Sequence, residues 1–573
     1  MIASALKTVL VSPDYGYRQE VRARLTKAFA FALLILFGLV VYLFWQVRSE
    51  ARDYWRELWS GPVAPAPTTN SEAEPARYRS EIHDRQGQVL ATTVEATVLC
   101  ADWRKLASVE ATVAGIMEVL PQADAAWLRA RLARGRGSNW LRYRLSERER
   151  DALIARGVAG ITFCKVPERF YPLAGLSAHW LGTVKPDLSQ GHSGIERAFN
   201  AEIRSRRSPL VLTLEAHIQH SLVQALTASI DTFEAKSGYG VLLDASNGEV
   251  LAMASLPLFD PQIATAPDDP HRFFSPVMGR YEHGSVMKLF TFAAALDLDL
   301  VTLSDRFDVT PPQTFNQVEV NDYAPFAGVL DLKECLQRSS NICSSQVAIR
   351  LGIEAQQRYY RAFGLSDALK VQFGEAITPT LPQPWLPSTL VTQSFGYGVA
   401  TSPLHVAAAG AALVNGGLYY DPQLVRDPSA NPAPGRRVLR PETSQLMREL
   451  MALDATGGSG LLAMVEGIQV GGKTGTANKV GAQGYTEDRR LSSFLGVFPL
   501  DNPRYVLLIG IDEPKPLEEN GYATGGRVAA PVFAEVVTRI LPHLGITPDP
   551  DWLDQQLAAE QQALGSPETA ALR

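Results

Sequence analysis

Ser285 and Lys288 stand three residues apart in Tyr281-Glu-His-Gly-Ser285-Val-Met-Lys288, just ahead of an almost unbroken apolar run that reaches Leu296. Three residues is close to one helical turn, so the two side chains share a face. The run is apolar almost all round, which predicts a buried helix over 286–298. A serine at the start of such a helix keeps an exposed hydroxyl, and the helix dipole favours negative charge developing there. A lysine one turn on, partly desolvated near that positive end, has a lowered pKa and can serve as a base. The pair reads as an activated nucleophile. Taken alone it also fits a serine that caps the helix and a lysine that snorkels to the surface.

Two further pieces change the balance. Ser339-Ser-Asn341 follows a predicted helix over 330–338 and lies 54 residues after the first serine (339 − 285). Lys473-Thr474-Gly475-Thr476 follows Asn341 by 132 residues (473 − 341), in a glycine-flanked, strand-like setting. S-x-x-K, then S-x-N, then K-T-G, in that order, is the signature of penicillin-recognising serine acyltransferases. Each piece has a plain reading as a cap, a turn or a glycine loop. Their ordered combination does not.

A competing motif overlaps the third piece. Gly467-Ile-Gln-Val-Gly-Gly472-Lys473-Thr474 matches the phosphate-binding P-loop pattern, and Val506 to Asp512 has the look of its metal-binding strand. A P-loop needs a helix beginning at its Lys-Thr, so that amides can hold the phosphates. The next residues are Gly475-Thr-Ala-Asn, with Gly481 and Gly484 beyond, and these would not hold a helix.

Composition excludes other classes. Lys plus Arg against Asp plus Glu gives 54 − 60 = −6 over 573 residues, a poor balance for gripping long nucleic acid. Four cysteines without a C-x-x-C pair argue against a disulfide scaffold and a zinc ribbon. His217 and His220 lack a third partner nearby and read as a helical surface pair. No metal and no cofactor is expected. Cys100 and Cys164, both on strand candidates, fit either a disulfide or two free buried thiols.

The elements that must carry these residues follow from the chain's organisation. Residues 28–47 form one apolar run broken by Gly38 and Gln46, and twenty residues at helical rise cover about 30 Å of bilayer. Lys7, Arg18, Arg22, Arg24 and Lys27 precede it, whereas Arg48, Arg52 and Arg56 after it are matched by Glu50, Asp53 and Glu57. The positive-inside rule then places residues 1–27 in the cytoplasm as a short tail and everything after the run outside. The run is too long for a cleaved signal, so retention as an anchor is expected. Residues 48–77, with Pro62, Pro65, Pro67 and Pro75, read as a proline-rich linker. Short strands, including 88–99 and 161–166, mix with charged helices across 78–207 as an α+β unit. Longer apolar strands at 238–243, 249–254 and 505–512 alternate with apolar helices such as 404–413 across 208–545. This suggests a large sheet covered by helices. Residues 546–573 make a polar tail, with a short helix predicted over 552–564.

With these residues in view, the chain resembles the class B penicillin-binding proteins, the single-pass peptidoglycan D,D-transpeptidases. Arg79-Ser-Glu-Ile-His-Asp84-Arg85-Gln-Gly87 is similar to a motif of the family's pedestal, with Ser80 where glycine is usual. Arg169-Phe-Tyr171-Pro172 and Gly194-Ile-Glu196 resemble its later pedestal motifs, and Asp244 to Pro257 resembles the strand pair before the nucleophile. His283 replaces the usual proline before Gly-Ser. The resemblance implies an α+β fold with one N-terminal transmembrane helix, a pedestal of the dimerisation type, and a transpeptidase domain. In that domain an antiparallel sheet is flanked by helices, with an all-helical subregion.

The resemblance also implies roles. Ser285 would attack the carbonyl between the last two D-alanines of a stem peptide, and Lys288 would take its proton. Ser339 would relay a proton to the departing D-alanine, and Asn341 would bind the peptide backbone. Lys473 would supply positive charge, Thr474 and Thr476 would bind the terminal carboxylate beside Gly475, and the amides of Ser285 and Thr476 would form the oxyanion hole. β-Lactam antibiotics would acylate the same serine.

Wording from Thr474 through Tyr485, at Ser493 to Pro499 and at Asp512 to Lys515 is closer to the division-type branch than to the elongation type. That likeness implies partners in the division machinery, chiefly a multi-pass glycan polymerase of the SEDS (FtsW-like) type. It also implies a bacterial inner membrane location with the catalytic domain in the periplasm. A β-lactamase would share the three motifs and would need a base for deacylation, for which Glu375 is the candidate. A non-catalytic scaffold or sensor that is acylated without turnover is the other alternative, and intact Lys288, Ser339 and Lys473 argue against it.

Overall fold

The computed structural model describes residues 79–134, 140–206, 208–263, 269–371, 373–426, 434–481, 484–518 and 521–552. The predicted tail, membrane helix and linker over 1–77 lie outside the described residues, as does most of the helix predicted over 552–564. Among the described residues no helix is long and apolar enough to cross a membrane.

Contacts divide the chain into two units. Of the described residues, one unit holds Ala96–Val166, and the other joins the segment up to Glu95 to everything from Pro167 on. The smaller unit packs helices Val109–Val119, Ala125–Ala133 and Glu147–Arg156 around Leu99, Ile116, Leu128, Leu141 and Leu153. Ser146 and Glu149 close a reciprocal capping box at the third of these helices, satisfying two otherwise orphaned amides. Cys100 and Cys164, left open by the sequence, are joined in a disulfide.

The larger unit is built on an antiparallel sheet of five strands. In chain order these are β1 (Ser237–Asp244), β2 (Val250–Leu256), β3 (Gly471–Gly481), β4 (Gly484–Phe498) and β5 (Tyr505–Asp512). Their spatial order is β3-β4-β5-β1-β2, so β3 is an edge. The helices that matter here are α1 (Ala216–Thr232), α2 (Lys288–Asp297), α3 (Leu332–Gln337), α4 (Asn341–Leu351), α5 (Pro403–Val414), α6 (Pro441–Gly457) and α7 (Gly525–Leu544).

Both faces of the sheet are covered. Leu507, Ile509 and Ile511 pack in one core with Leu222 of α1 and with Phe533 and Val537 of α7. Val506 and Leu508 alternate onto the opposite face, in the core that holds α2 and α5. Burial on both faces explains why β5 reads as an unbroken apolar run and was legible in the sequence. All twelve residues of α5 are buried.

The buried polar residues of the Arg79 to Glu196 motifs hold this unit together. Glu196 accepts from Nε (2.9 Å) and Nη2 (2.6 Å) of Arg79 and from Nε of Arg169 (2.6 Å). Asp84 accepts from the amides of Gln86 and Gln88, both at 2.8 Å, and from Ala216 at the first turn of α1 at 3.1 Å.

Two predicted elements differ in detail. The helix predicted over 330–338 begins as a strand, Val329–Asp331, paired with Arg306–Asp308. Helix α3 then starts at Leu332 with a capping box between Asp331 and Glu334. The helix predicted over 286–298 opens with a 3-10 turn, Gly284–Met287, before α2 begins at Lys288.

Candidate active site

The nucleophile turn is held against the edge strand by two glycines. Gly284 has φ +55°, and a Cβ there would stand 2.7 Å from the carbonyl oxygen of Thr476. A Cβ on Gly475 would stand 2.3 Å from the carbonyl oxygen of His283. Side chains at either position would push the turn off β3, so both glycines are needed for the close approach. Ser285 is half-buried between fully buried neighbours, at the point where the turn meets the strand.

Lys288 is fully buried, and its Nζ donates to the carbonyl oxygen of Ser339 and to Ser339 Oγ at 3.1 Å. Burial pushes its pKa well below the ordinary lysine value. The positive charge of Lys473 adds to that push, while the carboxylates of Asp322 and Asp454 oppose it. The structure thus brings Lys288 and Ser339 together, as the motif order anticipates.

Ser339 itself has φ +57°, an uncommon conformation for a residue with a side chain. Asp322, which the sequence reading missed, organises the turn around it. Its carboxylate accepts from Ser340 Oγ (2.7 Å), from the amide of Asn341 (2.5 Å) and from that of Ile342 (3.1 Å). These amides open α4, where a negative charge is favourable. Asn341 donates from Nδ2 to the carbonyl of Asn321 at 2.9 Å.

Along β3, Lys473 is fully buried and its Nζ lies 3.2 Å from Asp454 of α6, whose side chain is also fully buried. Thr474 is buried as well, and its hydroxyl is shared with Ser459 Oγ and, at 3.3 Å, with Lys473 Nζ. Thr476 is half-exposed, and its Oγ1 accepts from the amide of Gly525 at 3.0 Å. Its own hydroxyl proton is therefore left to donate elsewhere. Asp454 is a second acid missed from the sequence. The signal was present: it falls on the stripe of Met447, Leu450 and Met451, an acid at a core position of an otherwise buried helix face.

Two sequence alternatives meet the structure here. Lys473-Thr474 lies within strand β3, not at a helix start, so the P-loop reading fails. Glu375 accepts from the amide of Gly194 at 3.2 Å and lies 3.8 Å from Arg197, so it is committed to the region of helix Gly194–Ala198. Among the described residues no hydrogen bond joins it to Lys288 or Ser339.

A half-buried serine at a helix start, a buried lysine bonded to a second serine, and an edge strand carrying Lys-Thr-Gly-Thr define a serine acyltransferase. The comparisons agree. Residues 238–538 match the family model of the penicillin-binding protein transpeptidase domain. The chain is 35% identical to a probable peptidoglycan D,D-transpeptidase FtsI of Caulobacter vibrioides over 482 residues, 82% of this chain and 82% of that protein. It is 31% identical to the peptidoglycan D,D-transpeptidase FtsI of Escherichia coli over 423 residues, covering 68% of this chain and 70% of that one. Penicillin-binding protein 3 of Mycobacterium tuberculosis, solved in complex with aztreonam, shares the fold. Its TM-score is 0.65 at 24% identity, over 83% of this chain and 98% of that one. The chain belongs to the class B penicillin-binding proteins, the serine-type peptidoglycan D,D-transpeptidases.

Proposed function

We propose that this protein cross-links peptidoglycan stem peptides during septal wall synthesis, through an acyl-enzyme on Ser285. The observation that carries the assignment of roles is the buried Lys288 bonded to Ser339 beside the nucleophile turn. The neutral Lys288 amine takes the proton of Ser285 Oγ as that oxygen bonds to the carbonyl carbon between the last two D-alanines. The amides of Ser285 and Thr476 receive the developing oxyanion. Ser339 Oγ passes a proton to the departing nitrogen and regains one from the Lys288 ammonium, the C–N bond breaks, and D-alanine leaves. An amine of a neighbouring stem peptide then attacks the ester, its released proton passes through Lys288 to Ser285 Oγ, and the ester C–O bond breaks.

The half-exposed Thr476 hydroxyl, oriented by the Gly525 amide, donates to the terminal carboxylate. Thr474, given to the terminal carboxylate by the resemblance, is buried with its hydroxyl against Ser459 and Lys473 and so supports Lys473 instead. Gly475 leaves the strand close to the turn, and Asn341 holds the peptide backbone. A β-lactam occupies the same place and leaves a stable ester on Ser285. The division role rests on the FtsI relatives of Caulobacter vibrioides and Escherichia coli. In this reading residues 28–47 anchor the chain in the bacterial inner membrane with the catalytic domain in the periplasm. A multi-pass SEDS-type glycan polymerase is the partner. Protease added to spheroplasts should remove the catalytic domain, and exchange of residues 28–47 for an unrelated helix should reduce co-purification of the polymerase.

The test of the chemistry is labelling by a fluorescent penicillin, wild type beside Ser285→Ala, with label release followed over hours. A long-lived adduct absent from the variant is the expected result. Release within minutes, or undiminished labelling of Ser285→Ala, would overturn the assignment.

A further inference from the structure

Cys335 and Cys343 are joined in a disulfide across eight residues of sequence, and the chain they enclose contains Ser339-Ser340-Asn341. Cys335 sits in the last turn of α3 and Cys343 in the first turn of α4, and both are fully buried. Each half-cystine is also hydrogen-bonded to the residue between the two motif side chains. The amide of Ser340 donates to the Cys335 carbonyl at 2.9 Å, and the amide of Cys343 donates to Ser340 Oγ at 3.0 Å. Ser340 is thus gripped from both sides by one covalent link.

That grip matters because of what Ser339 is asked to do. Its φ of +57° turns its backbone into a left-handed conformation disfavoured for any residue with a Cβ, and the surroundings must hold it there. In this conformation both its carbonyl and its hydroxyl reach Lys288 Nζ. Relaxation of φ at one residue would swing the Ser339 hydroxyl away from the lysine. A cross-link over a short loop removes little chain entropy compared with one over a long loop, so its principal effect is local. We propose that the Cys335–Cys343 disulfide is a positioning device for the transpeptidation reaction, holding the turn so that Ser339 meets Lys288. This rests on the reading of Ser339 as a participant in acylation.

The full chain serves for the test, with the rate constant of acylation by a fluorescent penicillin as the readout. Four proteins form a double-mutant cycle: wild type, Ser339→Ala, the Cys335→Ala/Cys343→Ala pair, and the combination. The cysteine pair alone should slow acylation by about 10-fold, and in the Ser339→Ala background by less than about 2-fold, because its effect passes through Ser339. Equal slowing in both backgrounds, or none in either, overturns the proposal. The Cys100→Ala/Cys164→Ala pair is the control and should acylate at the wild-type rate. Ser339→Ala acylating at the wild-type rate would instead sink the role given to Ser339. If the alanine pair does not fold, the Cys335→Val/Cys343→Ala pair, closer to the original volume, replaces it. Failure of both pairs to fold makes the disulfide a folding staple and also overturns the proposal.

Discussion

Lys473 and Asp454 form an ion pair of 3.2 Å in which neither side chain is exposed to solvent. The lysine is the one the K-T-G motif contributes, and in the proposed function it supplies positive charge to the pocket. Its charge is therefore offset before any substrate arrives, and the same carboxylate group accepts from the amide of Thr474 at 3.4 Å. The acid fixes both the lysine head and the strand beside it. What reaches the cleft is a pre-set field from a held pair rather than the full charge of a mobile ammonium.

Replacing one partner of such a pair strands the other. Asp454→Asn leaves the charge of Lys473 Nζ buried without its carboxylate, beside the hydroxyls of Ser459 and Thr474. Breaking a buried pair from one side costs about 3–5 kcal/mol, so a loss of that order is expected in urea unfolding monitored by fluorescence. A loss below about 1 kcal/mol would show that water reaches the pair and that the field argument is wrong.

The pH dependence of acylation tests the state of Lys288. Only the neutral amine can accept the proton of Ser285, and burial keeps its pKa well below the ordinary value of 10.5. The acid limb of the rate against pH should accordingly lie far below that value. Lys473 pushes this pKa down and Asp322 pulls it up. Lys473→Met should move the limb to higher pH and Asp322→Asn to lower pH. Shifts of the same sign in both variants would exclude Lys288 as the titrating base.

How much of this was visible in the sequence depends on how local each relationship is. Ser285 with Lys288, Ser339 with Asn341, and Lys473 with Thr476 each lie within one turn or one short strand, so their spacing alone carries geometry. Strand β5 was legible because burial on both faces leaves no polar alternation. Asp322 and Asp454 were missed because their partners come from other elements: the start of α4 for one, β3 for the other. The pairing of Cys335 with Cys343 depends on the path of the turn between two helices, and no spacing rule supplies that path. Cys100 and Cys164 were left undecided for the same reason. The first turn of the nucleophile helix was read as α where it is 3-10, since apolar periodicity does not distinguish the two over four residues.

Three buried histidines make the fold sensitive to mild acid. Burial lowers His179, His283 and His405 from the ordinary 6.5 to about 4. A histidine whose folded pKa is depressed binds its proton more readily when unfolded. Stability is therefore whole above about pH 6.5 and falls as the pH drops toward 4, by up to about 1.4 kcal/mol per pH unit for each residue. His283, at φ −86°, stands where proline is usual in the family. His283→Pro should keep penicillin labelling and reduce the slope of stability against pH, leaving two of these three histidines to titrate. The check is the urea midpoint measured from pH 7.5 to 4.5, and an unchanged slope would mean His283 is not buried neutral.

The Arg79, Arg169 and Glu196 cluster should separate stability from chemistry. All three side chains are buried, and one carboxylate serves two guanidinium groups. Glu196→Gln keeps the shape but removes the carboxylate that both buried guanidinium groups share. A loss of about 3–5 kcal/mol follows from the desolvation cost of an unpaired buried ion. None of these residues belongs to the Ser285, Lys288 and Ser339 group, so folded protein should acylate within about 2-fold of the wild-type rate. The two quantities are read from one preparation: the thermal midpoint by circular dichroism, and the labelling rate per folded molecule at 20 °C below that midpoint. A large fall in the labelling rate with an unchanged midpoint would reverse the reading and tie this cluster to the reaction instead of to the fold.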